Sequence, residues 1–221
     1  MSSSAVIQES ADCIVHEHAR RSSGAMVLKR AVQLLFTLVV MPRLLIYRCH
    51  QALGAGMAFS AASESIARVP GMRGVLCRQA FYRRTLAACG QDVYFGWLSV
   101  FSMPEARVGD RVYIGRFCSI GFADIGDEAM LADGVQILSG GREHATRGDD
   151  AASMQGQTQV YQRLRIGRGA WIGAGAVIMA DVGEHAVVGA QALVRTPVPA
   201  GCLAVGVPAR IINRTTDSNP G

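Results

Sequence analysis

Aliphatic residues recur every six positions along the second half of the chain, most of them followed by glycine or alanine. The series runs Val108, Ile114 and Ile120, then after a five-residue step Ile125, Leu131 and Ile137. It resumes at Ile166, Ile172 and Ile178, and after a four-residue step passes through Val182, Val188 and Val194, with Val198 and Ala204 closing it. A helix repeats near 3.6 residues and a half-buried strand at about 2, so a sustained period of six predicts short strands and tight turns wound into a solenoid. A second phase lies four residues after the aliphatic one, at Val112, Cys118, Ala129, Val135, Ala170, Ala176, Ala186, Ala192 and Cys202. The aliphatic side chains are expected to fill the interior and these smaller residues the corners, with the glycines allowing turns that bulkier residues resist.

Before the repeats the pattern is different. Residues 1–24 are Ser-rich and polar and read as a mobile tail. Residues 25–89 form an apolar and basic segment of helical character. Within it the uncharged run Ala31 to Met41, apolar but for Gln33 and Thr37, is 11 residues long, short of the roughly 20 that cross hydrocarbon. Pro42-Arg43 follows, which predicts a broken or re-entrant helix, or one lying in the membrane interface. A helix packed on a partner subunit is the competing reading. A signal peptide is disfavoured, because about 25 mostly polar residues precede the apolar run. A second helix is expected over Met72 to Ala88, carrying Arg73, Arg78, Arg83 and Arg84. Val93 to Trp97 reads as a degenerate first coil, since solenoids need atypical capping repeats. The predicted organisation is therefore an all-β solenoid over 90–213 behind a helical, membrane-associating segment, with 214–221 as a C-terminal tail.

Charge follows the same division. Residues 1–90 hold 11 basic and 4 acidic side chains, and residues 91–221 hold 11 and 13, so the excess of positive charge belongs to the N-terminal segment. The repeats offer no basic face with interleaved aromatics, which argues against a nucleic-acid partner; a phosphate-rich membrane surface fits better. The six cysteines show no CxxC or metal-ligand spacing, and nothing suggests a disulfide framework.

The six-residue phase fails between Ile137 and Ile166. That gap predicts a loop leaving the solenoid over 140–163, and long loops on rigid scaffolds are where chemistry concentrates. It holds Arg142, Glu143, His144, Asp149 and Asp150. The other histidine of the repeat region, His185, reads as a solvent-facing turn residue.

The six-residue phase, Ser139-Gly140-Gly141-Arg142-Glu143-His144, Trp171-Ile172-Gly173-Ala174 and the closing Gly206-Val207-Pro208-Ala209-Arg210 resemble the hexapeptide-repeat acetyltransferases, in particular the bacterial branch that O-acetylates polysaccharides. The resemblance covers about half of the chain. It implies a left-handed parallel β-helix, a hand that spacing alone would not suggest. It also implies homotrimers, with acetyl-CoA held in a groove between prisms and no metal. His144 matches the general base, and a neutral imidazole suits that task at cellular pH. Glu143, Asp149 or Asp150 would be candidates to orient it. Ala174 and Ala190 match small turn positions along the pantetheine arm, with Trp171 beside them, and Arg210 matches a position that meets the CoA phosphates. Arg195 is a weaker match, since Arg195-Thr196 stands where the family often has threonine then lysine. The implied activity is O-acetylation of a sugar hydroxyl, on a lipid-linked glycan at the cytoplasmic face of a bacterial inner membrane. A small soluble acceptor such as serine or a xenobiotic, a zinc-dependent hydratase of the carbonic-anhydrase type and a catalytically silent scaffold are the alternatives. The hydratase needs three histidine ligands, and the repeats supply His144 and His185.

Overall fold

The computed structural model describes residues 23–54, 56–139 and 161–212. Residues 1–22 and 213–221, and with them most of both expected tails, lie outside the described residues. So do Cys13, Arg142, Glu143, His144, Asp149 and Asp150.

Three helices precede the repeats: α1 (Ser23–Ala52), α2 (Ala58–Ala67) and α3 (Gly71–Thr85). The break expected at Pro42 does not occur, because α1 runs straight through it. Proline removes one backbone donor and frees the carbonyl of Leu38. Both Leu38 and Pro42 are exposed, so solvent can meet that carbonyl. On either side of the proline a single stripe, Val40, Leu44 and Tyr47, is buried and holds the helix together. The helix expected over Met72 to Ala88 is α3, which ends at Thr85, and Ala88-Cys89 already forms the first strand.

From there the chain coils through three parallel sheets. The first coil has β1 (Ala88–Cys89), β2 (Tyr94–Phe95) and β3 (Val100–Phe101); the second has β4 (Arg107–Val108), β5 (Tyr113–Ile114) and β6 (Ser119–Ile120). The third has β7 (Ala123–Ile125), β8 (Met130–Leu131) and β9 (Gln136–Ile137), and the fourth β10 (Leu164–Ile166), β11 (Trp171–Ile172) and β12 (Val177–Ile178). In the fifth, Val182 bridges Ile166 before β13 (Val187–Val188) and β14 (Leu193–Val194); in the sixth, Val198 bridges Val182 before β15 (Leu203–Val205). A last strand, β16 (Arg210–Ile212), returns antiparallel along β15 and covers its open edge.

Register explains the irregular steps in the sequence. Tyr94 lies beside Tyr113, Tyr113 beside Met130, and Trp171 beside Val187. The five- and four-residue steps all fall at the third corner, where the chain passes from the third sheet back to the first. The segment between β9 and β10 leaves from that same corner. Its ends meet there, with Gln162 N–H donating to Ser139 O at 2.7 Å.

The interior is filled as the two phases predict. Every aliphatic position from Val108 to Ala204 is buried, and so is every corner filler, Cys118 and Cys202 included. The role of the glycines is different from the one expected. A Cβ on Gly115 would sit 2.6 Å from the Asp133 amide nitrogen, and one on Gly126 2.7 Å from that of Arg168. These glycines therefore permit close approach of the next coil. The left-handed residue of each turn lies two positions later and is mostly not glycine: Arg111, Phe117, Glu128, His185 and Gln191 adopt φ between 54° and 60°. Each such residue costs roughly 1–2 kcal/mol locally, which the packed coils must offset.

The helices close the N-terminal end of the prism with aromatic side chains. Tyr82 is at the centre, its ring 4.8 Å from Phe95 and 4.9 Å from Phe101. Its hydroxyl is 2.8 Å from Ser63 Oγ, which also accepts the Phe101 N–H at 3.0 Å. Burial pushes the Tyr82 phenol up to about 12. Arg78 is buried as well, donating from Nε to Phe95 O at 3.0 Å and from Nη1 to Val69 O at 2.7 Å. It ties α3 to the first coil and to the turn after α2, so this arginine is a structural clasp, unlike the exposed Arg73 and Arg84 of the same helix.

Candidate active site

The outward side chains divide the prism into unlike faces. On the first sheet the residue before the interior position is charged in the middle coils, at Arg107, Asp124, Arg165 and Asp181, and Arg163 pairs with Asp124 at 2.7 Å. On the second sheet it is apolar throughout. Tyr94, Tyr113, Met130, Trp171, Val187, Leu203 and Ile212 stand side by side in register across seven strands. Tyr94 and Tyr113 stack with their rings 4.8 Å apart, and Trp171 is 49% exposed near the middle of the row. This ladder was missed in the sequence, yet its signal is there: the residue before the aliphatic position is apolar once per coil, always on the same side.

At the second corner, between the second and third sheets, the coils present a change of residue type. In the lower coils an aspartate caps the amide of the coil before it. Arg116 N–H donates to Asp133 Oδ1 at 2.7 Å, and at the neighbouring corner Asp110 N–H donates to Asp127 Oδ1 at 2.7 Å. The positions that follow Asp133 in this row are Ala174 and then Ala190, both exposed. Alanine has no acceptor, so the backbone N–H groups of Asp133 and Ala174 receive no such cap among the described residues. A backbone N–H left without such a cap beside the exposed Ala174 can donate to a carbonyl of a ligand. Ala174 and Ala190 are adjacent in the row, with Gln191 N–H donating to Ala174 O at 2.8 Å.

Arg210 belongs to the same edge. Gly206 to Ala209 wraps the corner, with Leu193 N–H donating to Gly206 O and Ala209 N–H to Leu193 O, and Arg210 then pairs with Val205. Its side chain is exposed. The structure thus brings Trp171, Ala174, Ala190 and Arg210 to one sheet and its adjoining corner. It does not bring Arg195 there. Arg195 follows β14 at the third corner, in the row that holds Met179 and Leu138, one residue before Ser139, the last described residue ahead of the departing segment. In one prism the donor row and the root of the segment bearing His144 lie on different corners.

The other expected groups are placed plainly. His185 is an exposed turn residue with a φ of 54°, lying against Gly169. Among the described residues, no three His, Cys, Asp or Glu side chains gather as metal ligands would. Burial raises the thiols of Cys77 and Cys118, and pushes that of Cys89 up to about 11. These three thiols are therefore kept protonated at neutral pH and are poor nucleophiles.

No family model matches the chain. It is similar to the solved structure of a maltose O-acetyltransferase from Clostridium difficile 630, with a TM-score of 0.62 and 23% identity over 71% of this chain and 84% of that one. A galactoside acetyltransferase in complex with coenzyme A aligns with a TM-score of 0.59 and 22% identity over 69% of this chain and 78% of that one. This chain has the left-handed parallel β-helix fold of these acetyltransferases. By sequence, the hexapeptide-repeat chain is 32% identical over 140 residues to the serine acetyltransferase of Salmonella typhimurium, a match covering 62% of this chain. It spans about half of that relative's length, 47%.

Proposed function

We propose that this hexapeptide-repeat protein transfers an acetyl group from acetyl-CoA to a sugar hydroxyl of a lipid-linked bacterial polysaccharide or its precursor. The observation that carries the reading is the second corner, where uncapped amides beside Ala174 and Ala190 run toward the exposed Arg210. Amide N–H groups suit the pantetheine carbonyls, and a guanidinium suits the CoA phosphates. Ala174 and Ala190 leave room for the arm, and the Trp171 ring gives it an apolar wall.

His144 is the general base in this reading. It accepts the proton of the acceptor hydroxyl as that oxygen attacks the thioester carbonyl; a backbone N–H at the corner stabilises the tetrahedral oxyanion, and the CoA thiolate leaves. Acetyl passes directly to the acceptor. The protonated state of the three thiols described above supports a route without an acyl-enzyme.

Because the donor row and the root of the His144 segment lie on different corners, a complete site needs two copies of the chain. The apolar ladder from Tyr94 to Ile212 is a surface suited to a second prism, and a closed homotrimer would supply three such grooves. The sugar acceptor is supported by the maltose and galactoside enzymes that share the fold. A second reading, a small acceptor such as serine, is favoured by the sequence relationship to serine acetyltransferase. The membrane location, at the cytoplasmic face of the inner membrane, is supported by the apolar surface of α1, where Leu34, Leu35, Leu38, Leu45 and Ile46 are exposed.

The test is release of CoA from acetyl-CoA by the purified full chain, offered glycan acceptors or serine in parallel. His144→Ala should lower transfer by roughly 10²–10⁴-fold. Equal rates in the variant would refute the mechanism, and no release with any acceptor would favour a silent scaffold. A higher kcat/KM for serine than for glycans would select the second acceptor.

A further inference from the structure

One face of α1 binds the body of the protein along most of its length. Lys29 pairs with Asp92 of the first coil. Val40 and Leu44 are buried, and the Tyr47 ring lies edge-on to Phe59 and Phe81 at 6.0 and 6.4 Å. The rest of the helix surface is bare. Leu34, Leu35, Leu38, Val39, Leu45 and Ile46 are between 48% and 67% exposed. From Ala31 to Pro42 the helix carries no charged residue.

Two quantities decide how such a helix meets a bilayer. The uncharged stretch between Arg30 and Arg43 is about 18 Å long at 1.5 Å per residue, against roughly 30 Å of hydrocarbon. Crossing would also pull Leu44, Tyr47 and Lys29 off the body they are packed on. Lying flat leaves those contacts intact and covers the bare leucines.

The charge beside that face fits the same placement. A cleft of about 280 Å³ between α1 and α3 is lined by Arg30, Arg83 and Arg84 together with Leu34, Phe36 and Leu76. Its lining contains no aspartate or glutamate. Leu34 belongs to both the cleft and the bare face, so the three guanidinium groups open onto the edge of the apolar surface. Phosphate groups beneath the headgroups of an anionic leaflet lie at the corresponding depth relative to the acyl chains.

Resting on the membrane reading above, we propose that α1 lies flat in the interface of an anionic bilayer. Its Leu34 to Ile46 face enters the acyl region, and its Arg30, Arg83 and Arg84 cleft seats a lipid phosphate. The protein is then held on one leaflet without crossing it, with the β-helix beside the lipid surface.

The test uses the full chain and vesicles of phosphatidylcholine with or without phosphatidylglycerol. Flotation should require the anionic lipid, and Arg30→Ala, Arg83→Ala and Arg84→Ala together should weaken partition on the order of 100-fold. Leu38→Glu, at a position 67% exposed, should abolish flotation while leaving the melting temperature and CoA release unchanged. Depth is read by bromolipid quenching of Leu34→Trp, Leu38→Trp and Leu45→Trp, taken above the wild-type signal. Equal, shallow depth at all three supports the proposal. Graded depth along the helix would overturn it and leave membrane attachment standing. Absence of flotation from both vesicle types would remove the proposal and the membrane reading together, while the acetyl-transfer reading would be judged by CoA release alone. A change of assembly size in Leu38→Glu, without any vesicle binding, would assign the face to a second copy instead.

Discussion

The helical cap and the coiled prism bury their apolar surface in opposite ways. Between the second and sixth coils each layer is a near copy of the last, filled by one branched aliphatic per side and a small residue per corner. In the cap, Tyr47, Phe59, Phe81 and Tyr82 meet Phe95 and Phe101 of the first coil in an unrepeated cluster. A repeat spreads its stability over many equivalent contacts, whereas the cap depends on a few large rings, two buried hydroxyls and one buried guanidinium. A solenoid end needs such a plug, because its last interior layer has no neighbour to cover it.

Substitutions should therefore be felt most in the cap. Phe81→Ala in α3 should cost about 3–5 kcal/mol, against the lower end of about 2–5 for Ile178→Ala in the fourth coil; chemical denaturation compares them, and equal losses would erase the distinction. Alkali should expose the same asymmetry. Tyr82 ionises near 10 when unfolded and is raised by burial to about 12 in the fold, so the native state holds the proton longer. Its contribution is complete below pH 10 or so and is lost as pH rises toward 12, roughly 2–3 kcal/mol in all. Tyr82→Phe should flatten that part of a stability–pH curve, leaving the part due to Cys89, which burial shifts in the same direction.

In the prism the sensitive positions are the glycines between coils. Gly115→Ala forces a methyl against the Asp133 backbone and should cost about 1–3 kcal/mol. Gly201→Ala meets open space and pays only for its left-handed φ of 70°, about 1 kcal/mol. Thermal melting of the pair separates close approach from turn geometry. Smallest of all, Arg111→Ala removes an exposed ion pair with Glu128 and should leave the melting temperature nearly unchanged; a clear drop would show that charges on the corners help to hold the coils.

The same contrast explains what could be read in advance. The period of six fixes which side chains face inward, so the prism, its shortened third corner and the buried Cys118 and Cys202 were legible residue by residue. The cap was not, because its order is tertiary. Pro42 signals a break locally, but Val40, Leu44 and Tyr47 bury one stripe across it. Arg78 looks like another surface cation until its guanidinium is seen among carbonyls. Of the proposed site, Trp171, Ala174, Ala190 and Arg210 were found from motifs, and the structure adds why the row is receptive: alanine replaces the capping aspartate. Arg195 was grouped with them by a weak family match at Arg195-Thr196, whereas the winding of the chain carries it to another corner. His144 lies outside the described residues, and its role rests on the motif it sits in.

The central claim is that transfer takes its base from one copy and its donor row from another. Mixing two inactive variants tests it directly: His144→Ala, which lacks the base, and Ala190→Trp, which fills the donor edge at an exposed position. If the site is shared in a closed trimer, random co-assembly of equal amounts should restore about a quarter of the wild-type CoA release. Mixed assemblies that form but remain as inactive as either variant alone would contradict the account.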